Sequence, residues 1–188
     1  MEIIKGKDFS FSDTCVTIGK FDGVHIGHRE ILNKMKEICE AEGLKSVVIT
    51  FDYSYFNSDT AGRLNTYEQK KDILESSGTD IMIDYPFDEE TRNLSAADFI
   101  RLVLVKRLGV RAVIVGENFR FGRGAEGDTG TLKHYGGMYG FETVIVPSVC
   151  YDGEAVSSTR IREELGRGNK LKAEDMLGIY KDSSLHSE

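Results

Sequence analysis

Short apolar runs alternate along the chain with longer stretches in which apolar residues recur every three or four positions. The short runs predict buried strands and the longer stretches predict amphipathic helices. Because strands and helices take turns, the pattern predicts an α/β fold: a doubly wound parallel sheet with right-handed crossovers and helices on both faces. The five predicted strands are 15–18, 46–51, 80–85, 111–116 and 142–147.

Capping signals mark where several of the predicted helices begin or end. Apolar residues of one face recur between 31 and 39, and Gly43 follows where a left-handed cap would end that helix. In a capping box, the side chain of the fourth residue reaches back to the first residue of the helix. The pairs with this spacing are Thr66 with Gln69 and Ser95 with Asp98.

Length and composition limit the possible functions. The 188 residues are enough for one domain, so we expect a single domain over 1–188, with a polar, frayed tail from about 166. Acidic residues outnumber basic ones by 31 to 24, which argues against a nucleic-acid partner but still allows a small anionic ligand. No apolar run is long enough for a signal peptide or a membrane span. An odd count of three cysteines without a CxxC pair favours a reducing, cytoplasmic location. The oligomeric state is not predicted.

Two histidines and three glycines fall within ten residues, GKFDGVHIGH, between the first predicted strand and helix. Ligands of such folds bind beyond the carboxyl ends of strands, where the N–H groups of the next helix are free. We expect the glycines to let the backbone approach a phosphate, and His25 and His28 to donate hydrogen bonds to it. Ordinary packing is the simplest alternative. A zinc site is another, although no third ligand has the required spacing.

A second cluster of phosphate-binding side chains is the segment VSSTRIRE at 156–163. Its hydroxyl groups lie at a predicted helix start, and two arginines follow within the first turns. Serine and threonine are also routine caps and arginine is a routine helix former, so by itself the segment fits both interpretations equally.

The segment GRGAEG at 122–127 matches the spacing G-x-G-x-x-G. A dinucleotide fingerprint follows the first strand and opens a helix, whereas this segment follows a later strand, so we give that interpretation little weight. We expect instead a flexible loop near the phosphates or the adenosine. Phe119 and Phe121, just before it, could stack on a ligand or belong to the core, and the core is the favoured interpretation.

Three motifs together resemble one known family. G-x-F-D-G-x-H-x-G-H resembles the signature of the nucleotidyltransferase superfamily, and FDGVH resembles that of bacterial FAD synthetases, the FMN adenylyltransferase module. VGENFRFGRGAEGD at 115–128 and VSSTRIRE resemble the second and third motifs of that family, and PFDEETRNLSAADF resembles the segment between the first and second. The resemblance runs from about 15 to 180. H-x-G-H alone marks only the superfamily, whereas the three motifs together are specific.

The resemblance implies a Rossmann-like nucleotidyltransferase fold and the transfer of AMP from ATP to FMN, giving FAD and pyrophosphate. Mg²⁺ would be carried by ATP, without a metal site in the protein. The implied catalytic residues are His25, His28 and Arg162. The residues implied to bind ATP or its phosphates are Gly19, Phe21, Asp22, Gly23, Gly27, Asn118, Ser158 and Thr159, with Asp22 also organising its loop.

The chain departs from the family after the second predicted strand. A run like Phe-Glu-Pro-His-Pro is usual there, but this chain has FDYSYFNSD at 51–59. Its aromatic rings could still face an isoalloxazine, which gives the flavin-binding candidates Phe51, Tyr53, Tyr55 and Phe56. Phe119 and Phe121 of the second motif are further candidates. A nucleotidyltransferase with a different phosphate monoester, or a non-catalytic nucleotide- or flavin-binding module, are the alternatives. Family members usually continue into a riboflavin kinase module, and because this chain stops at Glu188 we expect no kinase activity.

Overall fold

A parallel sheet of six strands organises the described part of the chain. The structure is a computed structural model that describes residues 1–52 and 62–179. The strands are β1 (Glu2–Lys5), β2 (Thr14–Gly19), β3 (Lys45–Asp52), β4 (Ile81–Pro86), β5 (Val110–Gly116) and β6 (Glu142–Val146). The five predicted strands are confirmed, each within one residue of its predicted ends. The strand β1 was missed, because its two central apolar residues are too few to form a pattern.

Helices connect the strands and cover both faces of the sheet. They are α1 (Ile26–Glu42), α2 (Tyr67–Ser76), α3 (Glu89–Asn93), α4 (Ala96–Asp98), a π-helix (Phe99–Val105), α5 (Thr129–Tyr139), α6 (Ser158–Gly166) and α7 (Lys170–Leu177). A small hairpin, β7 (Cys150–Tyr151) and β8 (Glu154–Ala155), precedes α6. Gly43 ends α1 in the left-handed conformation, as predicted. Among the described residues, no helix has both the length and the apolar character that crossing a membrane requires.

Alternate residues of the strands supply two separate cores. On β2, Val16 and Ile18 face the cluster that includes the π-helix and Leu132 of α5. Cys15, on the other face, packs with α1 and α2. A strand buried on both faces is apolar along its whole length, which is why these segments read as short continuous apolar runs. The predicted doubly wound fold is therefore confirmed.

The strand order is β1-β4-β3-β2-β5-β6, so the chain winds outward from β2 in one direction and then returns to wind in the other. The order reverses between β2 and β5. The segments that leave the carboxyl ends of these two strands separate there and open a crevice, which is where α/β proteins of this kind bind ligands. The GKFDGVHIGH segment follows β2 and the second motif follows β5.

The segment predicted as a polar tail from about 166 contains the helix α7. Ala173, Met176 and Leu177 of α7 are buried, and together with Val156 and Ile161 they form a third small core. The spacing of the three α7 residues at i, i+3 and i+4 is the signal that could have revealed this helix. Residues 180–188 lie outside the described part of the chain.

Candidate active site

The turn between β2 and α1 has an unusual backbone. The φ angles are +48° at Phe21, +88° at Gly23 and +33° at Val24, in the region that residues with a side chain rarely adopt. Phe21 and Val24 are fully buried. Such conformations persist only where the surrounding structure enforces them, and they concentrate at functional sites. Packing thus holds this turn (Gly19–His28), which we call the catalytic turn after the role that we propose for it below, in a shape that its local sequence alone would not favour.

The two imidazoles of the catalytic turn stack on each other. His25 is the N-cap of α1 and His28 lies in the first turn of the helix, and their ring centroids are 3.8 Å apart with an interplanar angle of 21°. The ring of Phe21 lies 5.0 Å from that of His28. A Cβ atom at Gly27 would lie 3.2 Å from Nδ1 of His25. Gly27 therefore leaves the space that the His25 ring occupies.

Burial keeps both histidines uncharged. It lowers the pKa of His25 to about 4, against the opposing effect of the nearby Asp22 carboxylate. Burial, and next the neighbouring His25, lower the pKa of His28 to about 3. At neutral pH each ring is therefore a neutral imidazole with one N–H donor. Both Nδ1 atoms are buried and make no hydrogen bond within the described residues, an arrangement that is costly in an ordinary interior.

The start of α6 is tied to the catalytic turn. The Ser158 hydroxyl donates a 2.7 Å hydrogen bond to the carbonyl oxygen of Asp22, and an Nη2 hydrogen of Arg162 bonds to the Asp22 carboxylate. The Nε of Arg162 donates to the carbonyl oxygen of Gly62 at 2.7 Å. Thr159 lies exposed in the first turn of the same helix. Predicted site residues that lie 136 and 140 positions apart in sequence are thus brought into contact.

Asp22 connects three segments of the site. One carboxylate oxygen accepts a hydrogen bond from the Leu64 amide at 2.9 Å, and the other accepts from Arg162. We predicted Asp22 both as an ATP-binding residue and as an organiser of its loop. Its contacts in the structure are those of an organiser, because the carboxylate is occupied by protein donors and would repel a phosphate.

The second motif lies beside the catalytic turn, at the carboxyl end of β5. The exposed side chain of Asn118 approaches the Ser148 hydroxyl, with 3.4 Å between Nδ2 and Oγ. Phe121 is buried in the core, 6.0 Å from the ring of Phe99. Phe119 is half-buried and stacks on Phe121 with 5.4 Å between centroids. Phe121 is therefore a core residue, as favoured from the sequence, Phe119 is partly buried against the same core, and Asn118 is exposed.

The glycine-rich segment Gly122–Gly127 is packed against α4, unlike the flexible loop that we predicted. A Cβ atom at Gly122 would lie 2.7 Å from the backbone nitrogen of Ala96, and one at Gly127 would lie 2.7 Å from the Ala96 Cβ. The carboxylate of Glu126 accepts a 2.8 Å hydrogen bond from the Ala96 amide. These glycines permit close packing between two segments of the protein.

Aromatic side chains gather where the flavin was expected. Phe51, at the end of β3, contacts Tyr85 and Phe87 edge-on, with centroid separations of 6.3 and 5.6 Å. Tyr85 and Phe87 flank Pro86 at the end of β4, which pairs with β3 and so lies beside Phe51; Tyr85 belongs to the core. Of the other flavin candidates, Tyr53, Tyr55 and Phe56 lie outside the described residues.

Lys70 is a further residue that the sequence analysis missed. Its ammonium group donates a 2.9 Å hydrogen bond to the Thr50 hydroxyl, which in turn bonds to the Lys20 carbonyl oxygen at 3.3 Å. A positive charge from α2 is thereby linked to the beginning of the catalytic turn. Nothing in the local sequence of α2 indicates this, because the contact depends on how α2 packs against β3.

The parallel sheet reverses its order at a turn that contains two histidines, and a helix that bears an arginine is bonded to that turn. This arrangement is that of a nucleotidyltransferase-like Rossmann fold. The family model described as FAD synthetase matches residues 3–160. The chain belongs to the FAD synthetase family.

Similar proteins agree with this assignment. The bifunctional riboflavin kinase/FMN adenylyltransferase of Escherichia coli K12 is 38% identical over 169 residues, which cover 87% of this chain and 54% of the relative. The protein of the same name from Buchnera aphidicola subsp. Schizaphis graminum is 33% identical over 172 residues, covering 89% of this chain and 55% of the relative. The chain thus spans about half the length of these relatives.

One solved structure has a similar fold. The crystal structure of a macrolide-efflux protein from Streptococcus pneumoniae superposes with a TM-score of 0.83 at 25% sequence identity. The match covers 95% of this chain and 62% of that protein. It supports the Rossmann-like architecture derived above.

Proposed function

We propose that the protein is an FMN adenylyltransferase, which joins AMP from ATP to FMN and releases pyrophosphate. The observation that carries the proposal is the meeting of the catalytic turn with the arginine-bearing start of α6 where the sheet reverses its order. Family membership and the names of the relatives support the choice of FMN as the acceptor.

The reaction is a direct displacement at phosphorus. An oxygen of the FMN phosphate attacks the α-phosphorus of ATP, a new P–O bond forms, and the bond to the β-phosphate oxygen breaks. No covalent bond to the protein forms. His25 and His28 each carry an N–H that can donate to the oxygens around the α-phosphorus, where negative charge increases as the attack proceeds. Because both rings are neutral and held by packing, they need no reorganisation during the reaction.

The start of α6 would bind the leaving pyrophosphate. Thr159 supplies a hydroxyl group, and Ser158, whose hydroxyl hydrogen is donated to Asp22, shares with Thr159 the amides of the helix N-terminus, which favours anions. Arg162 supplies a guanidinium that suits phosphate oxygens. Since Asp22 already holds one edge of this guanidinium, Arg162 is oriented before ATP arrives.

We infer that Mg²⁺ arrives with ATP. Mg²⁺ commonly binds through substrate phosphates and water, with few protein ligands, so we treat the Mg²⁺ complex of ATP as the substrate. Within 1–52 and 62–179, no three histidine, cysteine, aspartate or glutamate side chains are grouped so as to hold a metal ion. Cys15, Cys39 and Cys150 are free thiols, which fits the proposed cytoplasmic location.

The test is to incubate the protein with ATP, Mg²⁺ and FMN and to measure FAD and pyrophosphate. Equal amounts of both products are expected, and EDTA should abolish them. CTP in place of ATP, and other phosphate monoesters in place of FMN, serve as comparisons. Riboflavin is the matched control for the acceptor, because it lacks the attacking phosphate. Faster turnover of another nucleotide or acceptor would refute the proposed substrates. Undiminished turnover in EDTA would refute the proposed role of the metal.

A further inference from the structure

Gly23, which has the largest positive φ angle of the catalytic turn, is packed against α7. A Cβ atom at Gly23 would lie 2.9 Å from Cδ1 of Leu64 and 3.1 Å from Cδ2 of Leu177. Leu177 is the last residue of α7 and is 9% exposed. Its side chain therefore lies against the turn, two residues before His25.

The residue after Leu177, Gly178, is packed against the start of α1. Gly178 caps α7 with a φ of +67°, and a Cβ atom there would lie 3.1 Å from Nε of Arg29 and 3.3 Å from Cγ2 of Ile26. Ile26 and Arg29 belong to the first turns of α1. The end of α7 thus approaches the chain two residues before His25 and immediately after His28.

Several contacts hold α7 in this position. The Tyr151 hydroxyl donates a 2.7 Å hydrogen bond to the Asp175 carboxylate, and Lys172 pairs with Asp152 at 2.9 Å. At the other end of α7, the Asn169 side chain donates to the Glu164 carboxylate at 2.6 Å. These bonds join α7 to the β7–β8 hairpin and to α6. The helix is therefore a fixed support for the catalytic turn, although it lies beyond the residues 3–160 that match the family model.

We propose that Leu177 is a positioning residue for catalysis, whose side chain keeps Gly23 in its left-handed conformation and thereby keeps His25 and His28 in place. The positive φ angles of Phe21 and Val24 require support from their surroundings, and Leu177 with Leu64 provides it at the residue between them. Without the Leu177 side chain, the turn can relax toward ordinary backbone conformations. The catalytic part of this inference rests on the proposed function, whereas the structural part does not.

Kinetics of four variants test the catalytic part. Leu177→Ala should lower kcat for FAD formation by about tenfold to a hundredfold with little change in either KM, because a small displacement of catalytic groups costs this much. Met176→Ala is the matched control: Met176 lies fully buried in the same small core, but none of its atoms is among those nearest Gly23. Leu177→Met should restore most of kcat. Leu171→Ala, at a position of α7 that is 72% exposed, should match the wild type.

Hydrogen–deuterium exchange tests the structural part without any assay of activity. Amides of residues 20–30 should exchange faster in Leu177→Ala than in Met176→Ala, at a temperature where both are folded. Should Leu177→Ala not fold, Leu177→Val gives a milder version of the same comparison. Equal effects of the Leu177 and Met176 variants on exchange in the turn, or on kcat, would overturn the inference. If the wild type makes no FAD, the proposed function fails, and the exchange comparison alone decides about Leu177.

Discussion

The chain contains two glycine-rich turns that leave neighbouring strands, and they use glycine for different purposes. In the catalytic turn, Gly27 leaves room for an imidazole whose Nδ1 makes no hydrogen bond within the described part of the protein. In Gly122–Gly127, the glycines leave room for the backbone and side chain of Ala96, and Glu126 bonds to the Ala96 amide. The first turn thus leaves polar atoms for a ligand, and the second uses its space and its hydrogen bonds for packing.

This difference shows that glycine spacing alone does not identify a phosphate-binding turn. Both segments follow strands that flank the reversal of the sheet order, and the second matches the better-known spacing G-x-G-x-x-G. The feature that separates them is the pair of histidines, which only the catalytic turn contains. Both segments are followed by a helix: the catalytic turn leads into α1, of 17 residues, and the second, which contains the short 3₁₀ turn Arg123–Ala125, leads into α5, of 11 residues.

The largest effect should come from removing a donor of the catalytic turn. His28→Ala should lower kcat by about 10²- to 10³-fold, with little change in the KM for FMN, since the donor acts on charge that builds only in the transition state. Steady-state kinetics and a thermal melt of the purified variant are the measurements. The control is His134→Ala, a histidine on α5 outside both turns. A near-normal kcat in a folded His28→Ala variant would show that His28 is not catalytic.

Matched glycine substitutions should affect the two turns differently, one through stability and the other through kcat. Gly122→Ala should destabilise the protein by about 1–3 kcal/mol, because the new methyl group meets the Ala96 backbone at a residue with φ of +75°. The kcat of its folded fraction should change little. Gly27→Ala should show the opposite pattern, with a clear loss of kcat and little loss of stability, because its methyl group would lie 3.2 Å from the His25 ring.

Chemical denaturation and kinetics of the two glycine variants, side by side, provide this test. The same phenotype in both variants would mean that the two turns do not differ in function.

A smaller effect is expected where the catalytic turn meets α6. Asp22→Asn keeps an acceptor for the Leu64 amide but loses the charge that orients Arg162. Because Arg162 is 41% exposed, the ion pair is screened, and kcat/KM for ATP should fall only about two- to fivefold. Titration with ATP at constant FMN measures this. A double variant with Arg162→Lys should lose less than the two single effects combined, and strict additivity would contradict the coupling.

The smallest expected effect is the change of stability with pH near neutrality. The pKa values of His25 and His28 are lowered on folding from the ordinary value of 6.5, so below pH 6.5 the unfolded chain binds more protons than the folded one. Their contribution to stability is therefore complete above pH 6.5 and is lost as the pH falls toward 4. The Tm should drop between pH 7.5 and 5.5, and less steeply in His25→Asn. The Gly122→Ala variant should keep the wild-type slope, since its turn contains no histidine.

Most of the fold could be predicted, because parallel strands buried on both faces are visible as apolar runs. The elements that were missed are those whose pattern is too short or is masked by charge. In α7, for example, the charged residues Lys170, Lys172 and Glu174 make the segment polar overall. The apolar periodicity of Ala173, Met176 and Leu177 is therefore hard to recognise in the sequence.

The candidate site could be predicted only in part. His25 was singled out because two histidines and three glycines fall within ten residues, whereas Arg162 was singled out only by the resemblance of its motif. Leu64, Lys70 and Leu177 were missed, because their importance comes from three-dimensional contacts with the catalytic turn, and a leucine or lysine on a helix or loop gives no signal of such a contact.

The support of the catalytic turn by Leu177 has a consequence for synthesis on the ribosome. The turn emerges early, within the first 28 residues, but its contacts with Ser158, Arg162 and Leu177 form only when nearly the whole described chain has left the exit tunnel. Contacts between such distant positions also form late in folding, because closing a long loop costs entropy before any contact compensates for it. We therefore expect the nascent chain to remain inactive until α7 is complete.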